Sequence, residues 1–252
     1  MLDDVSVAAI LDAAALIPTR TDSAHAAFTR HDQTTGRVTN RASMIEDAPL
    51  PSSARLVAQI SRWDPLKDHL GVLTGFCTHG PTDAHLVLAG PDPHAISDDP
   101  ESQQTLTELH AARNALDPAT RRRVHLACLP MSDLDENAAV VNALQRRADV
   151  VVQKSLAEGF GLTVAEAMWK SRPTIGSRVG GIQDQIEADL SGLLIDPTDL
   201  AQFGAALTML LRDQAAATTL GQAAHQRVCS EYLAPHHLER VLRLAAGTLI
   251  QS

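Results

Sequence analysis

From Arg55 onward, short apolar and β-branched runs alternate with amphipathic stretches. The runs are RLVAQIS (55–61), AHLVLAG (84–90), RVHLACL (123–129), DVVVQ (149–153), RPTIG (172–176) and GLLID (192–196). Runs this short and this uniformly apolar predict strands covered on both faces. Between them, helical periodicity predicts helices near 66–78, 101–116, 136–147, 162–171 and 181–188, with further helices over 198–250. The alternation predicts an α/β fold with a doubly wound, Rossmann-like parallel sheet. Such sheets bind ligands beyond the carboxyl ends of their strands, so the chemistry is expected just after the runs.

The first 53 residues break this pattern. VSVAAILDAAALI (5–17) fits a short helix, whereas 18–53 follow neither period and are rich in Thr, Asp, Arg and Pro. That region is expected to be a loop, an insertion or disorder. The chain then divides into an irregular arm over 1–53 and one Rossmann-like domain with C-terminal helices over 54–252.

Composition acts mainly by exclusion. With 252 residues and 44% hydrophobic content, the chain can bury a proper core. The net charge of −9, and no basic run longer than Arg121-Arg122-Arg123, argue against a nucleic-acid or anionic-membrane surface. Cys77, Cys128 and Cys229 are widely spaced and form no C-x-x-C pair, which points away from disulfides and thiolate metal sites and toward a reducing compartment. Asp3 and Asp4 stand where a signal peptide carries positive charge, and no apolar run nears the ~20 residues that cross a bilayer. A cytoplasmic location is expected. Only three lysines, Lys67, Lys154 and Lys170, stand beside 18 arginines, which gives each some added interest.

Three stretches carry chemistry. QISRWDPLKDHL (59–70) leaves the first confident strand and enters a helix through Asp64-Pro65, a capping residue followed by one suited to a first helical turn. Arg62 and Lys67 then stand where a forked guanidinium and a compact ammonium can share a diphosphate, though two such residues also fit a surface pair. EGFGLTVAEAMWK (158–170) follows the strand DVVVQ, turns at Gly159-Phe160-Gly161 and continues into a helix whose first amides can meet phosphate or hydroxyl oxygens. It is not the dinucleotide fingerprint, because Val164 occupies the third glycine position. Glu158 and Glu166, at different depths beside this turn, can accept hydrogen bonds from the vicinal hydroxyls of two polyol rings. They also fit a capping acid and a solvated helix residue. SRVGGIQDQI (177–186) repeats the strand–glycine–helix arrangement with Gly180-Gly181.

Taken together, SRWDPLKD, the E-x7-E element of EGFGLTVAEAMWK, and VGGIQDQI preceded by NALQRRADVVVQKS resemble the sugar-nucleotide-binding half of retaining glycosyltransferases with two Rossmann-like domains (GT-B). Among these, the trehalose-forming glycosyltransferring synthases match best, from about Ala54 to Leu211. The resemblance implies that Arg62 and Lys67 hold the donor diphosphate, that Glu158 touches the transferred glucose, and that Glu166 touches the ribose. It implies that Phe160, Gly161 and Leu162 lend backbone amides, that Gly180 and Gly181 pack near the donor, and that the base lies near Leu129 to Met131. It further implies transfer with retention from a nucleoside-diphosphate glucose, with no obligatory metal or other cofactor. Asp133-Leu134-Asp135 matches the short acidic pattern of metal-dependent transferases but is read as a helix start. His85 and His125, inside apolar strands, are expected to be satisfied core residues, and no histidine pair has zinc-site spacing.

Residues 1–53 are too few and too polar to form the acceptor-binding domain of such enzymes. The chain is therefore expected to need a separate N-terminal acceptor domain, and exposed apolar surface would favour self-association. Two alternatives stay open: a sugar-nucleotide-binding module or gene remnant without turnover, and a relative of trehalose phosphorylase. An unrelated Rossmann-type redox domain is disfavoured by the missing G-x-G-x-x-G.

Overall fold

The computed structural model describes residues 2–93 and 99–233. Helix α1 (Asp4–Ala13) starts at Asp3, whose carboxylate accepts from the Ser6 amide at 2.8 Å and so satisfies one of the orphan donors of the first turn. A hairpin of β1 (Ala27–Thr29) and β2 (Thr35–Arg37) follows, then the short strand β3 (Ser43–Ile45). Strands and helices then alternate as β4 (Arg55–Ile60), α2 (His69–His79), β5 (Ala84–Pro91), α3 (Pro100–Asn114), α4 (Pro118–Arg121), β6 (Val124–Leu129), α5 (Leu134–Arg147), β7 (Val150–Gln153) and α6 (Leu162–Trp169). The series closes with β8 (Thr174–Ser177), α7 (Ile182–Gln185), β9 (Leu193–Ile195), α8 (Leu200–Arg212) and α9 (Gln214–Glu231).

Seven strands form one sheet in the order β3-β6-β5-β4-β7-β8-β9, with β3 antiparallel to β6 and all other neighbours parallel. The chain winds outward from β4 in both directions, so the predicted doubly wound α/β sheet is present, and every predicted run lands within two residues of its strand. The uniform apolarity of the runs has a direct cause. Leu56, Ala58 and Val151 face one buried cluster with α1 and α5, while Val57, Val150 and Val152 face another with Phe76, Phe203 and Leu207. Neither face is wet, so alternation is lost.

The helix expected over 66–78 is split. Asp68 adopts φ +51°, ends a 3-10 turn over Pro65–Lys67 and caps α2, accepting from the Gly71 amide at 3.1 Å. The four-residue α4 was not expected, and the part of the predicted C-terminal helices beyond residue 233 lies outside the described residues.

The expectation of an irregular segment over 18–53 is corrected. Beyond the hairpin and β3, Ile17, Phe28, Val38 and Leu50 join the cluster that holds Leu56 and Val151. Acidic side chains tie the segment down. Buried Glu136 accepts from the Thr39 and Asn40 amides at 2.7 and 2.6 Å, Asp47 pairs with Arg113 and Arg121, and Glu46 accepts from His125 at 2.7 Å. Strands of three residues are too short to display a period, and partners 66 to 97 positions away leave no local signal. His125 also meets His85 at 3.0 Å, so both are satisfied strand histidines as expected. Asp133 caps α5 and pairs with Arg30, which holds its carboxyl well down, to about 2.

Candidate functional site

The strand order reverses between β4 and β7, the switch point at which sheets of this kind place their ligand crevice. Lys67, from the loop after β4, and Glu158, from the loop after β7, form an ion pair across this crevice, with side chains only 16% and 14% exposed. Local capping sets the first loop. Asp64 accepts from the Leu66 amide at 2.8 Å, Pro65 opens the 3-10 turn, and buried Trp63 donates from Nε1 to the Pro91 carbonyl at 2.8 Å, pinning the loop to β5. The Leu156 amide then donates to the Leu66 carbonyl at 2.8 Å, joining the two loops.

The two glycine turns interlock beside this pair. Gly161 stands at φ +87° and begins α6 with no side-chain cap, so the helix's first amides lack a side-chain acceptor. Gly180 stands at φ +44°, so close to the neighbouring turn that a Cβ there would lie 1.7 Å from the Glu158 carbonyl oxygen. The Gly181 amide donates to the Gly159 carbonyl at 3.2 Å, and Gln185 donates to the Phe160 carbonyl at 2.6 Å. Gly180 and Gly181 thus support the turn that carries Glu158. Gly159, in contrast, has nothing within 4 Å of a would-be Cβ and is not sterically required.

Lys67, Glu158, Phe160, Gly161, Gly180 and Gly181 are brought together. Leu162 follows at the start of α6, 68% exposed. Arg62 leaves the same loop as Lys67, but its guanidinium is 69% exposed and turned to Asp64 at 3.2 Å. It borders a cleft of about 180 Å³ lined also by Ser61, Gly90, Leu129 and Met131, at the carboxyl ends of β4, β5 and β6. Glu166 is exposed on α6 and accepts from Gln145 at 3.1 Å, while Lys170 donates to Gln145 Oε1 at 2.6 Å. Burial pushes the Lys170 ammonium down to about 8. Among the described residues no hydrogen bond or ion pair joins Glu166 to Lys67 or Glu158.

Sequence reasoning passed over His69, Asp68 and the role of Lys154. His69 is buried beside Trp63, with ring centroids 5.0 Å apart and Nε2 3.0 Å from Ser61 Oγ. Burial pushes its pKa from 6.5 down to about 4, so the folded state holds the neutral ring. This contribution is present in full above about pH 6.5 and is lost as pH falls toward about 4, by up to ~1 kcal/mol per unit. His85, lowered likewise by burial, acts in the same direction. Urea unfolding midpoints are therefore expected to fall between pH 7 and pH 4.5, with a clearly shallower dependence in His69→Phe. An unchanged slope in that variant would assign the effect elsewhere.

A doubly wound sheet of this strand order is the fold of one half of GT-B glycosyltransferases. Residues 132–227 match the family Glycosyl transferases group 1, and the chain carries a domain of that family. The chain is similar to the trehalose synthase of Rubrobacter xylanophilus, with 39% identity over 194 residues, covering 76% of this chain and 43% of that protein. It spans less than half the length of this relative. Among solved structures, sucrose-phosphate synthase from Thermosynechococcus elongatus superposes with a TM-score of 0.63 and 25% identity over 81% of this chain and 47% of that one. The Anabaena protein HepE, solved with UDP-glucose, shares the fold, with a TM-score of 0.64 and 18% identity over 77% of this chain and 49% of that one. No helix among the described residues is long and apolar enough to cross a membrane.

Proposed function

We propose that this chain is the donor-binding unit of a retaining glycosyltransferase that takes glucose from a nucleoside-diphosphate glucose and passes it to a sugar acceptor, as the trehalose synthase likeness suggests. The nucleotide sugar is the donor substrate and no separate cofactor takes part. The observation that carries this reading is the Lys67–Glu158 pair at the switch point, where one cation and one anion stand side by side, sheltered from solvent. In the reaction the bond from the anomeric carbon to the diphosphate oxygen breaks and a bond to the acceptor oxygen forms. The diphosphate leaves with the bonding electron pair and takes up the proton that the acceptor hydroxyl loses, and Lys67 and Arg62 stabilise its growing charge.

Glu158, released from Lys67, accepts from the hydroxyls of the transferred glucose, and the uncapped amides at the start of α6 add donors. The cleft bordered by Leu129 and Met131 suits a flat base. Ribose recognition by Glu166 requires its carboxylate to swing from Gln145 toward the ligand. The acceptor is held by a second unit facing the same crevice, whose rim exposes Leu66, Leu156, Phe160 and Leu162.

Calorimetric titration with uridine, adenosine and guanosine diphosphate glucoses tests this. One of the three is expected to bind, and Lys67→Ala to weaken it by about tenfold or more, since a charge-assisted contact contributes ~1.5–3 kcal/mol. Arg62→Ala is expected to lose less, because its guanidinium begins in solvent. Equal affinity in wild type and Lys67→Ala would remove the assignment.

A further inference from the structure

Lys154 directly follows β7, yet its side chain is only 1% exposed, an unusual state for a lysine. Its ammonium pairs with Asp68, the residue next to Lys67. Asp68 is itself fixed, since its φ of +51° and its cap to the Gly71 amide leave the carboxylate one orientation. The Lys154 backbone is held as well, its amide donating to Gln59 Oε1 at 3.1 Å, while Gln59 Nε2 donates to the Lys67 carbonyl at 2.8 Å. Lys67 is thus flanked by two ties to one residue, a charged one through Asp68 and a neutral one through Gln59. The charged tie runs from the end of β7 to the loop after β4, and the neutral one passes through Gln59 on β4 itself.

We propose that Lys154 is a positioning residue, which, by anchoring Asp68 from the buried floor of the crevice, holds the Lys67 ammonium at the place where the donor diphosphate arrives. The proposal rests on the donor-binding role given to Lys67 above. Lys154 itself touches no ligand, being covered by the loop it holds. Losing its charge leaves Asp68 poorly solvated and unpaired, so the carboxylate turns outward and the αL turn that presents Lys67 relaxes.

The chain's three lysines make a ligand-free test possible. Lys67 and Lys170 are labelled with an amine-acylating reagent and quantified by mass spectrometry, with Lys170, bonded to Gln145 on α5, as the internal reference. In Lys154→Met, the Lys67 to Lys170 labelling ratio is expected to rise by about threefold or more, whereas general loosening would raise both alike. The second readout is a mutant cycle. Lys154→Met is expected to weaken the nucleoside-diphosphate glucose by about tenfold in wild type and by less than about twofold in a Lys67→Ala background. A purely structural role would give equal losses in both.

Should Lys154→Met fail to fold, Lys154→Met with Asp68→Asn removes both charges together; with no stranded carboxylate to turn outward, the labelling ratio is expected to rise less, by about twofold, and the losses in the two backgrounds to stay unequal. An unchanged labelling ratio in a folded variant, or equal losses in the two backgrounds, overturns the proposal. A raised ratio in a chain that binds none of the three nucleotide glucoses upholds Lys154 as the anchor of Lys67 and overturns the donor-binding role instead.

Discussion

Gly180→Ala is expected to lower stability by about 3 kcal/mol, which in a chain of this size lowers the melting temperature by roughly 6–12 °C. Two independent causes combine. The backbone at φ +44° disfavours any side chain, and a Cβ would overlap the Glu158 carbonyl oxygen, a backbone atom that cannot rotate away. Relief requires the two turns to part, which also breaks the Gly181 to Gly159 hydrogen bond and displaces Glu158 from Lys67. Gly159→Ala is the control. It enters open space and should stay within about 0.5 kcal/mol of wild type. Thermal unfolding of the two variants compares them directly, and a Gly180→Ala protein as stable as Gly159→Ala would mean that the turns do not interlock.

Glu158→Gln is expected to separate nucleotide binding from sugar binding. In the free protein the Glu158 carboxylate occupies the Lys67 ammonium that a diphosphate would meet. Removing that charge frees the cation and lessens repulsion of an anionic ligand, so a nucleoside diphosphate without sugar should bind about fivefold more tightly, equivalent to ~1 kcal/mol. The gain from attaching glucose should shrink by about tenfold, because a charge-assisted acceptor for its hydroxyls is gone. Calorimetry with the diphosphate and its glucose ester on both proteins measures the two changes. If both ligands weaken equally in the variant, Glu158 serves only to build its turn.

In the free protein the two loops of the crevice are held in place by one another. Gln59, Lys154, Leu156 and Glu158 reach the loop after β4, and Gly180-Gly181 brace the turn from beneath. A ligand bound at Lys67 as proposed would exchange one partner of that residue for another without building a new scaffold, which would keep the ordering entropy of binding small.

Much of this was legible in the chain itself. Val150, Val151 and Val152 announce a strand covered on both faces because burial between two helix layers tolerates no polar alternation. The segments 59–70, 158–170 and 177–186 likewise announce loops at strand ends, since glycines and capping residues constrain the backbone over only a few positions. The three-residue strands of the first 53 residues carried no such signal, for they are stabilised by Glu46, Asp47 and Glu136 contacts to remote elements.

Sequence alone determined the fold class and the residue types of the crevice, because periodicity, capping and backbone freedom act over a few neighbouring residues. The tertiary structure decided which of those residues meet: Lys67 with Glu158, Lys154 with Asp68, and Glu166 with Gln145. Pairs 91, 86 and 21 positions apart are selected by strand order and helix packing, which no local pattern in the chain encodes.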